Sequence, residues 1–201
     1  MQQGELPAPE RRGLSIEAFL TSTTLVAIAE IGDKTQLLSF VLAARLRKPW
    51  AIVAGIFVAT ILNHALAGSV GVWLAGLIAP HWLPWITGGV FVIFGLWALH
   101  PDSLDEDPEI HPAGAFVTTT IAFFIAEMGD KTQFATIALG AQFQGALLAV
   151  VTGTTLGMML ANVPAVIVGE KLAKRLPLKL IRWIAATVFI ATGVATMFDA
   201  G

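Results

Sequence analysis

The sequence predicts an all-α integral membrane protein built from two related halves, each with three transmembrane helices. Hydrophobic residues make up 56% of the 201 residues and charged residues only 13%, and the mean hydropathy of +0.76 exceeds that of an ordinary soluble domain. The apolar runs are long enough to cross ~30 Å of hydrocarbon as helices, whereas the ~10-residue alternating segments of a membrane β-barrel are absent from the sequence. A nine-residue motif also occurs twice.

Six apolar runs define the predicted membrane spans, which lie near residues 16–44, 50–79, 82–99, 114–142, 145–169 and 180–198. The first, second and fourth runs are about ten residues longer than the roughly 20 that a span requires, so we expect them to tilt, kink or project beyond the bilayer. The resulting organisation is a tail (1–15), a first three-helix repeat (16–100), a linker (101–113) and a second three-helix repeat (114–201).

The two connecting regions differ in character from the spans. The tail contains Pro7, Pro9 and two glutamates before any apolar run, which predicts disorder rather than a cleavable signal peptide. The linker, PDSLDEDPEIHP, is acidic and predicts a flexible, solvated connection between the halves. A cation sensor is the alternative function of this linker.

The duplication covers far more than the motif. AEIGDKTQL at 29–37 returns 97 positions later as AEMGDKTQF at 126–134. Trp85, Phe91 and Gly95 recur 98 positions later as Trp183, Phe189 and Gly193. An odd number of spans in each half forces the second half into the membrane upside down. Such inverted repeats are typical of secondary transporters, whose site lies near the midplane between the repeats.

Basic residues predict the orientation. The loops after the first, third and fifth spans, together with the segment that leads into the sixth, hold eight of them: Arg45, Arg47, Lys48, Lys171, Lys174, Arg175, Lys179 and Arg182. The opposite side holds only Arg11 and Arg12. By the positive-inside rule the first side is cytoplasmic, so the linker is cytoplasmic and both termini lie outside.

Each motif copy places three ionisable residues inside an apolar run. Such residues cost several kcal/mol each in a membrane and usually line an ion or proton path. On a continuous helix Glu30, Asp33 and Lys34 would share one face. The second copy repeats this set as Glu127, Asp130 and Lys131. The glycine inside each copy, Gly32 or Gly129, permits a helix break or a close helix approach.

Four carboxylates are expected to converge where the halves meet, which suits hard cations such as Ca²⁺, Mg²⁺ and Mn²⁺. Further neutral oxygens could come from Thr35, Gln36, Thr132 and Gln133. Asn63 and Asn162, 99 positions apart, either supply such oxygens or form interhelical hydrogen bonds. His64 has Val163 at its counterpart position. We interpret His64 as a satisfied packing residue, with a proton relay as the alternative.

The charges of the two motifs sum to minus two if all six groups are ionised, so one divalent cation or two protons would neutralise the site. Lys34 and Lys131 would limit the net charge. An empty charged site is unfavourable in a low-dielectric core and takes up protons, whereas a bound metal displaces them. Mutually exclusive occupancy indicates a proton-coupled antiporter. The structural alternative is a set of buried Glu–Lys pairs that lock helices together.

Several functions are excluded by what the sequence lacks. Without cysteine there are no disulfides and no thiolate metal sites. Without a GxxxxGK[ST] loop there is no visible means of using ATP, so the energy comes from an ion gradient or a partner. We therefore predict no enzyme activity, no cofactor and no nucleic-acid partner. The predicted partners are the lipid bilayer, divalent cations and protons, and a homo-oligomer stays open.

The two copies EIGDKT and EMGDKT, each on the first span of a three-helix half with an acidic loop between the halves, resemble the Gdt-type cation/proton exchanger family. The resemblance extends from Ile16 to Phe198. It implies exchange of Mn²⁺, and in some members Ca²⁺, for protons. The matching acidic positions are Glu30, Asp33, Glu127 and Asp130.

The short form of the chain looks bacterial and implies an inner-membrane manganese exporter in which Glu30 and Glu127 alternate between metal and proton. The alternatives are a Ca²⁺/H⁺ antiporter, a passive divalent-cation channel and, more remotely, a membrane enzyme.

Overall fold

The computed structural model of this chain describes residues 8–101, 108–169 and 177–198, and the regular structure in these ranges is helical. The α-helices are α1 (Ala8–Glu30), α2 (Lys34–Leu46), α3 (Pro49–Ala75), α4 (Leu83–Trp97), α5 (Ala115–Glu127), α6 (Lys131–Gln142), α7 (Leu147–Val168) and α8 (Leu178–Phe198). A short 3₁₀ turn, Gln144–Ala146, precedes α7. Within the described residues, four helices are long and apolar enough to cross a membrane: α1, α3, α7 and α8.

Four of the six predicted spans correspond to single helices, α3, α4, α7 and α8, with ends within a few residues of the prediction. The predicted spans at 16–44 and 114–142 each consist of two helices separated inside the motif, where the motif glycine was expected to permit a break. The cause is local. Gly32 and Gly129 have φ angles of 84° and 78°, in the left-handed region that interrupts a right-handed helix.

Helix α1 begins at Ala8, so the predicted disordered tail is wrong for residues 8–15. Pro9 lies at the start of this helix, where the missing N–H of proline costs no helical hydrogen bond. Residues 1–7 lie outside the described part of the chain, as do residues 102–107 of the acidic linker and the basic residues Lys171, Lys174 and Arg175. The described end of the linker is tied to α5, since the His111 N–H donates to Thr118 Oγ1 at 2.9 Å.

The two halves of the chain interlock instead of forming separate bodies. Helix α1 of the first half packs on α7 of the second, and α3 packs on α5 and α6. Glycines allow these contacts: a Cβ at Gly153 would lie 2.6 Å from Phe19 O, and one at Gly55 would lie 2.9 Å from Phe116 O. Phe19 and Phe116 are 97 positions apart. Matching positions of the two halves thus make matching contacts.

The last helix of each half forms a close pair with its counterpart, the helix pair α4–α8. A Cβ at Gly88 would lie 2.5 Å from Gly193 O, and one at Gly95 would lie 2.8 Å from Ala186 O. Such spacing brings the two backbones into contact. The pair also packs on α1 and α6. Phe94 of α4, for example, stacks on Phe134 of α6 with ring centroids 6.0 Å apart.

Two apolar clusters form the core of the molecule. The first joins α1, α6 and α7 to the helix pair α4–α8 through Phe91, Phe94 and Phe189. The second joins α1, α2, α3, α5 and α7 around Leu42, Ile56 and Phe123, and its buried members include no residue of α4 or α8. The helix pair therefore packs mainly beside α1 and α6, and the polar residues of the motifs lie where α1 meets α2 and α5 meets α6.

Candidate metal centre

Each motif forms a helix break that brings its charged residues to the ends of two helices. Glu30 ends α1, Asp33 takes the N-cap position of α2 with extended backbone angles (φ −81°, ψ 169°), and Lys34 begins α2. Asp130 takes the same position before α6 with φ −80° and ψ 166°. The prediction that each set shares one face of a continuous helix is therefore wrong, because the positive φ of the motif glycine turns the chain between Glu and Asp.

A glutamine side chain holds each break in place. The Gly32 N–H donates to Gln36 Oε1 at 2.9 Å, and the Gly129 N–H donates to Gln133 Oε1 at 2.8 Å. The amide nitrogens then reach the opposite half: Gln36 Nε2 donates to Ala161 O at 2.9 Å, and Gln133 Nε2 donates to Asn63 Oδ1 at 2.6 Å. Each glutamine therefore links the break in its own motif to the opposite half of the chain.

The two glutamates are buried and each is held by a threonine of its own motif. Glu30 is 0% exposed and accepts a hydrogen bond on Oε2 from Thr35 Oγ1. Glu127 is 2% exposed and accepts one on Oε1 from Thr132 Oγ1. The other oxygens, Glu30 Oε1 and Glu127 Oε2, have no hydrogen-bond partner among the described residues. A buried carboxylate oxygen without a partner is costly, so it needs a proton or a cation.

Three carboxylates from the two motifs meet at the centre. One oxygen each of Glu30, Asp33 and Asp130 lies within 4.8 Å of the others, and all three residues are buried. The predicted convergence of four carboxylates is thus realised for three, and Glu127 lies outside this group. Thr132 lies between the group and Glu127, because its Oγ1 donates to Glu127 and is 3.4 Å from Asp130 Oδ2.

The lysines pair across the two motifs. Lys34 Nζ lies 2.9 Å from Asp130 Oδ1, and Lys131 Nζ lies 3.5 Å from Asp33 Oδ1. Each lysine therefore contacts an aspartate of the other half. Lys131 also lies over the ring of Trp97, 5.8 Å from its centroid. Two cations beside three clustered carboxylates reduce the charge that an incoming cation has to balance.

Both asparagines make hydrogen bonds with neighbouring side chains or helices. Asn63 Nδ2 donates to Phe124 O at 3.0 Å, which joins α3 to α5. Asn162 Oδ1 accepts from Ser39 Oγ at 2.8 Å, which joins α7 to α2. Of the two roles considered for Asn63 and Asn162, the structure shows interhelical hydrogen bonding.

His64 differs from the expected packing residue. It is 0% exposed, and neither ring nitrogen makes a hydrogen bond within the described residues. Its Nε2 lies 3.6 Å from Glu127 Oε1, too far for a hydrogen bond. The expectation of a satisfied histidine is therefore wrong. The sequence signal was the asymmetry itself, since the second half has Val163 at this position.

A cavity reaches the centre from the ends of α4 and α8. It is lined by Asp33, Lys131 and Thr132 at its inner end, and by His100 and Arg182 toward those helix ends. We had not expected His100 and Arg182 near the site. The sequence signal for Arg182 was its position, because it is a charged residue near the start of an apolar span. Of the three clustered carboxylates, Asp33 lines this cavity.

Comparison with known proteins identifies the class of protein that carries this centre. The chain matches the family described as "Divalent cation/proton antiporter GDT1" over residues 18–106 and 115–201. It belongs to this family, a family of cation transporters rather than of enzymes, and it is an integral membrane protein.

The relatives are of similar length. The chain is 50% identical over 192 residues to a protein of Vibrio cholerae described as "Putative manganese exporter", covering 96% of this chain and 95% of that one. It is 28% identical to GDT1-like protein sll0615 of Synechocystis, covering 90% of this chain and 97% of the relative. GDT1-like protein 5 of Arabidopsis thaliana is 27% identical, with coverage of 92% and 97%. No solved structure matches the chain significantly.

Proposed function

We propose that this protein is a secondary active transporter that exports Mn²⁺ from the cytoplasm in exchange for protons. The observation that carries the proposal is the buried group formed by Glu30, Asp33 and Asp130, which draws on both motifs. Three carboxylates within 4.8 Å of one another repel strongly unless a cation or protons lie among them. Family membership and the manganese exporter of Vibrio cholerae support the same function.

Exchange follows from this charge balance. With a divalent cation bound, the carboxylates stay ionised and coordinate it through oxygen, the ligand that Mn²⁺ and Ca²⁺ both accept. When the cation leaves, protons take its place on the buried carboxylates. Glu30 and Glu127 carry these protons in the proposal, because each has one oxygen that accepts no hydrogen bond from the residues that the structure describes. Asp33 and Asp130 complete the coordination, while Lys34 and Lys131 stabilise the empty site.

The proposed topology has six spans in two inverted repeats, with both termini periplasmic. The matching contacts of Phe19 and Phe116, and of Gly95 and Gly193, support a twofold relation between the halves. If the spans alternate in direction, α1 and α6 lie on the same side of the centre, because α1 leads into its motif and α6 leads away from its own. Contacts between α1 and α6, and between α2 and α5, support this arrangement.

The position of the helix pair α4–α8 supports a cytoplasm-facing state. The pair packs on α1 and α6, which lie on the periplasmic side in the proposed topology. The cavity lies beside His100 and Arg182, on the opposite side, and reaches Asp33. Because the halves interlock, the proposal is that the helix pair α4–α8 moves against the remaining helices.

Purified protein in vesicles tests the function. Vesicles with an internal pH-sensitive dye and an imposed pH gradient should take up Mn²⁺ against its own gradient and move protons in the opposite direction. A passive channel would equilibrate Mn²⁺ without accumulation, so uptake that ignores the pH gradient would refute the exchanger. Competition by Ca²⁺, Mg²⁺ and Zn²⁺ in the same vesicles separates manganese export from a Ca²⁺/H⁺ antiporter, which would be inhibited most strongly by Ca²⁺.

A further inference from the structure

His64 lies on the Glu127 side of the centre, where it stands out by its lack of partners. The side chain is 0% exposed, and both ring nitrogens lack hydrogen bonds within the described chain. Buried polar groups are nearly always hydrogen-bonded, and leaving one unpaired is costly. An unpaired imidazole inside a membrane protein therefore indicates a ligand that is absent from the protein itself.

The groups around His64 show what kind of ligand fits. Its Nε2 lies 3.6 Å from Glu127 Oε1, and the second oxygen of Glu127 has no hydrogen-bond partner in the described part of the chain. A neutral imidazole presents one nitrogen lone pair, and the carboxylate presents oxygen lone pairs. Two acceptor groups thus lie side by side and buried, and each has at least one atom without a hydrogen-bond partner among the described residues, an arrangement that suits a cation.

This position is connected to the three-carboxylate group. Thr132 Oγ1 contacts Glu127 Oε1 and lies 3.4 Å from Asp130 Oδ2, so a single hydroxyl separates the two. An ion that passes from Asp130 to Glu127 would meet His64. At the mirror position in the second half is Val163, which has no ligand atom, so the nitrogen is present on one side of the centre only.

Resting on the proposed function, we propose that His64 is a nitrogen ligand of the transported ion when the ion is held by Glu127, and that this ligand favours Mn²⁺ over Ca²⁺. Ca²⁺ binds almost entirely through oxygen, whereas first-row transition metals accept imidazole. A neutral histidine adds a ligand without adding charge, so the exchange of one divalent cation for two protons is unaffected. The same reasoning predicts that Zn²⁺, which binds nitrogen more tightly than Mn²⁺, competes strongly.

The direct test is pulsed electron paramagnetic resonance of the purified protein loaded with Mn²⁺ alone. The spectrum of the wild-type protein should contain a coupling from directly bound nitrogen, and growth on isotopically labelled histidine should shift it. His64→Gln and His64→Val should remove the coupling while His81, His100 and His111 stay in place. Val163→Ala, at the mirror position, is the matched control and should retain it.

Transport in vesicles gives the second readout. His64→Gln should lower the preference for Mn²⁺ over Ca²⁺ by roughly tenfold or more, the scale on which groups around a metal alter affinity. Val163→Ala should leave the preference unchanged. If His64→Gln does not fold, His64→Val provides the same comparison.

The outcomes separate the two proposals. A wild-type protein that exchanges Mn²⁺ for protons but shows no nitrogen coupling, or a coupling that persists without His64, would overturn the role of His64 and leave the transport function standing. An unchanged metal preference in both His64 variants would do the same. Failure of the wild-type protein to accumulate Mn²⁺ would refute the function itself.

Discussion

The two motif copies have nearly the same sequence but different surroundings. In the first copy, Gly32 is covered by Leu178, whose Cδ2 would lie 2.8 Å from a Cβ at that position. In the second copy, none of the described residues has an atom within 4 Å of such a Cβ at Gly129. The second copy also has His64 beside its glutamate, and the position that matches His64 in the other half holds Val163. A duplicated sequence thus produces two unequal half-sites.

Replacing either buried glutamate should have the largest effect on transport. Glu30→Gln and Glu127→Gln should each abolish coupled exchange, because the amide retains the shape but cannot exchange a proton for a cation. Proton and Mn²⁺ fluxes in vesicles measure this. The exposed Glu17, on the same helix as Glu30, provides the control, and Glu17→Gln should transport normally. Full exchange by either buried variant would remove that carboxylate from the mechanism.

Replacing Lys131 or Lys34 should lower the stability of the protein by different amounts. The side chain of Lys131 is 11% exposed and that of Lys34 is 26% exposed. Removing one member of a buried ion pair costs about 3–5 kcal/mol, and less where water reaches the pair. Lys131→Gln should therefore lower the thermal stability in detergent more than Lys34→Gln.

Asp33→Asn tests whether the stability loss in Lys131→Gln comes from the unpaired carboxylate. Added to Lys131→Gln, it should recover part of the lost stability by removing the uncompensated carboxylate, without restoring transport. Equal stability losses in the two lysine variants would show that the two pairs are equivalent.

Replacing the two motif glycines should change transport by amounts that differ less. Both have positive φ, so alanine at either position costs about 1–2 kcal/mol of backbone strain. Gly32→Ala should lose additional activity because its methyl group meets Leu178, and Leu178→Ala should relieve that part. Gly129→Ala should not respond to Leu178→Ala. Transport rates of the single and double variants decide this, and identical responses would mean that Leu178 does not distinguish the two breaks.

The side of the membrane on which each loop lies can be tested without altering the site. Ala79→Cys, after α3, and Ala113→Cys, before α5, place single thiols in a chain that naturally has none. An impermeant maleimide applied to intact and to opened cells should label the two from opposite sides, Ala79→Cys from the periplasm. Labelling of both from the same side would overturn the inverted topology and the shared centre that depends on it.

Much of this arrangement could be predicted from sequence because it depends on composition and repetition. Apolar run length predicted α3, α4, α7 and α8, and the repeat predicted that residues from both motifs would meet. The breaks were harder to place, since whether a glycine such as Gly32 kinks a helix depends on partners like Gln36 that only the folded chain brings close. The crossed lysine pairs and the isolated imidazole of His64 depend on helix packing, which no spacing rule encodes.

The backbone contact between Gly88 and Gly193 joins two helices of unequal length. Helix α4 has 15 residues and α8 has 21, which correspond to about 22 Å and about 31 Å. Hydrocarbon ~30 Å thick therefore matches α8 but extends beyond α4. Thinning the bilayer around α4 costs a fraction of a kcal/mol per ångström, and any tilt of the pair changes that cost. If the helix pair α4–α8 moves during exchange, as proposed, turnover should therefore depend on the acyl-chain length of the surrounding lipid.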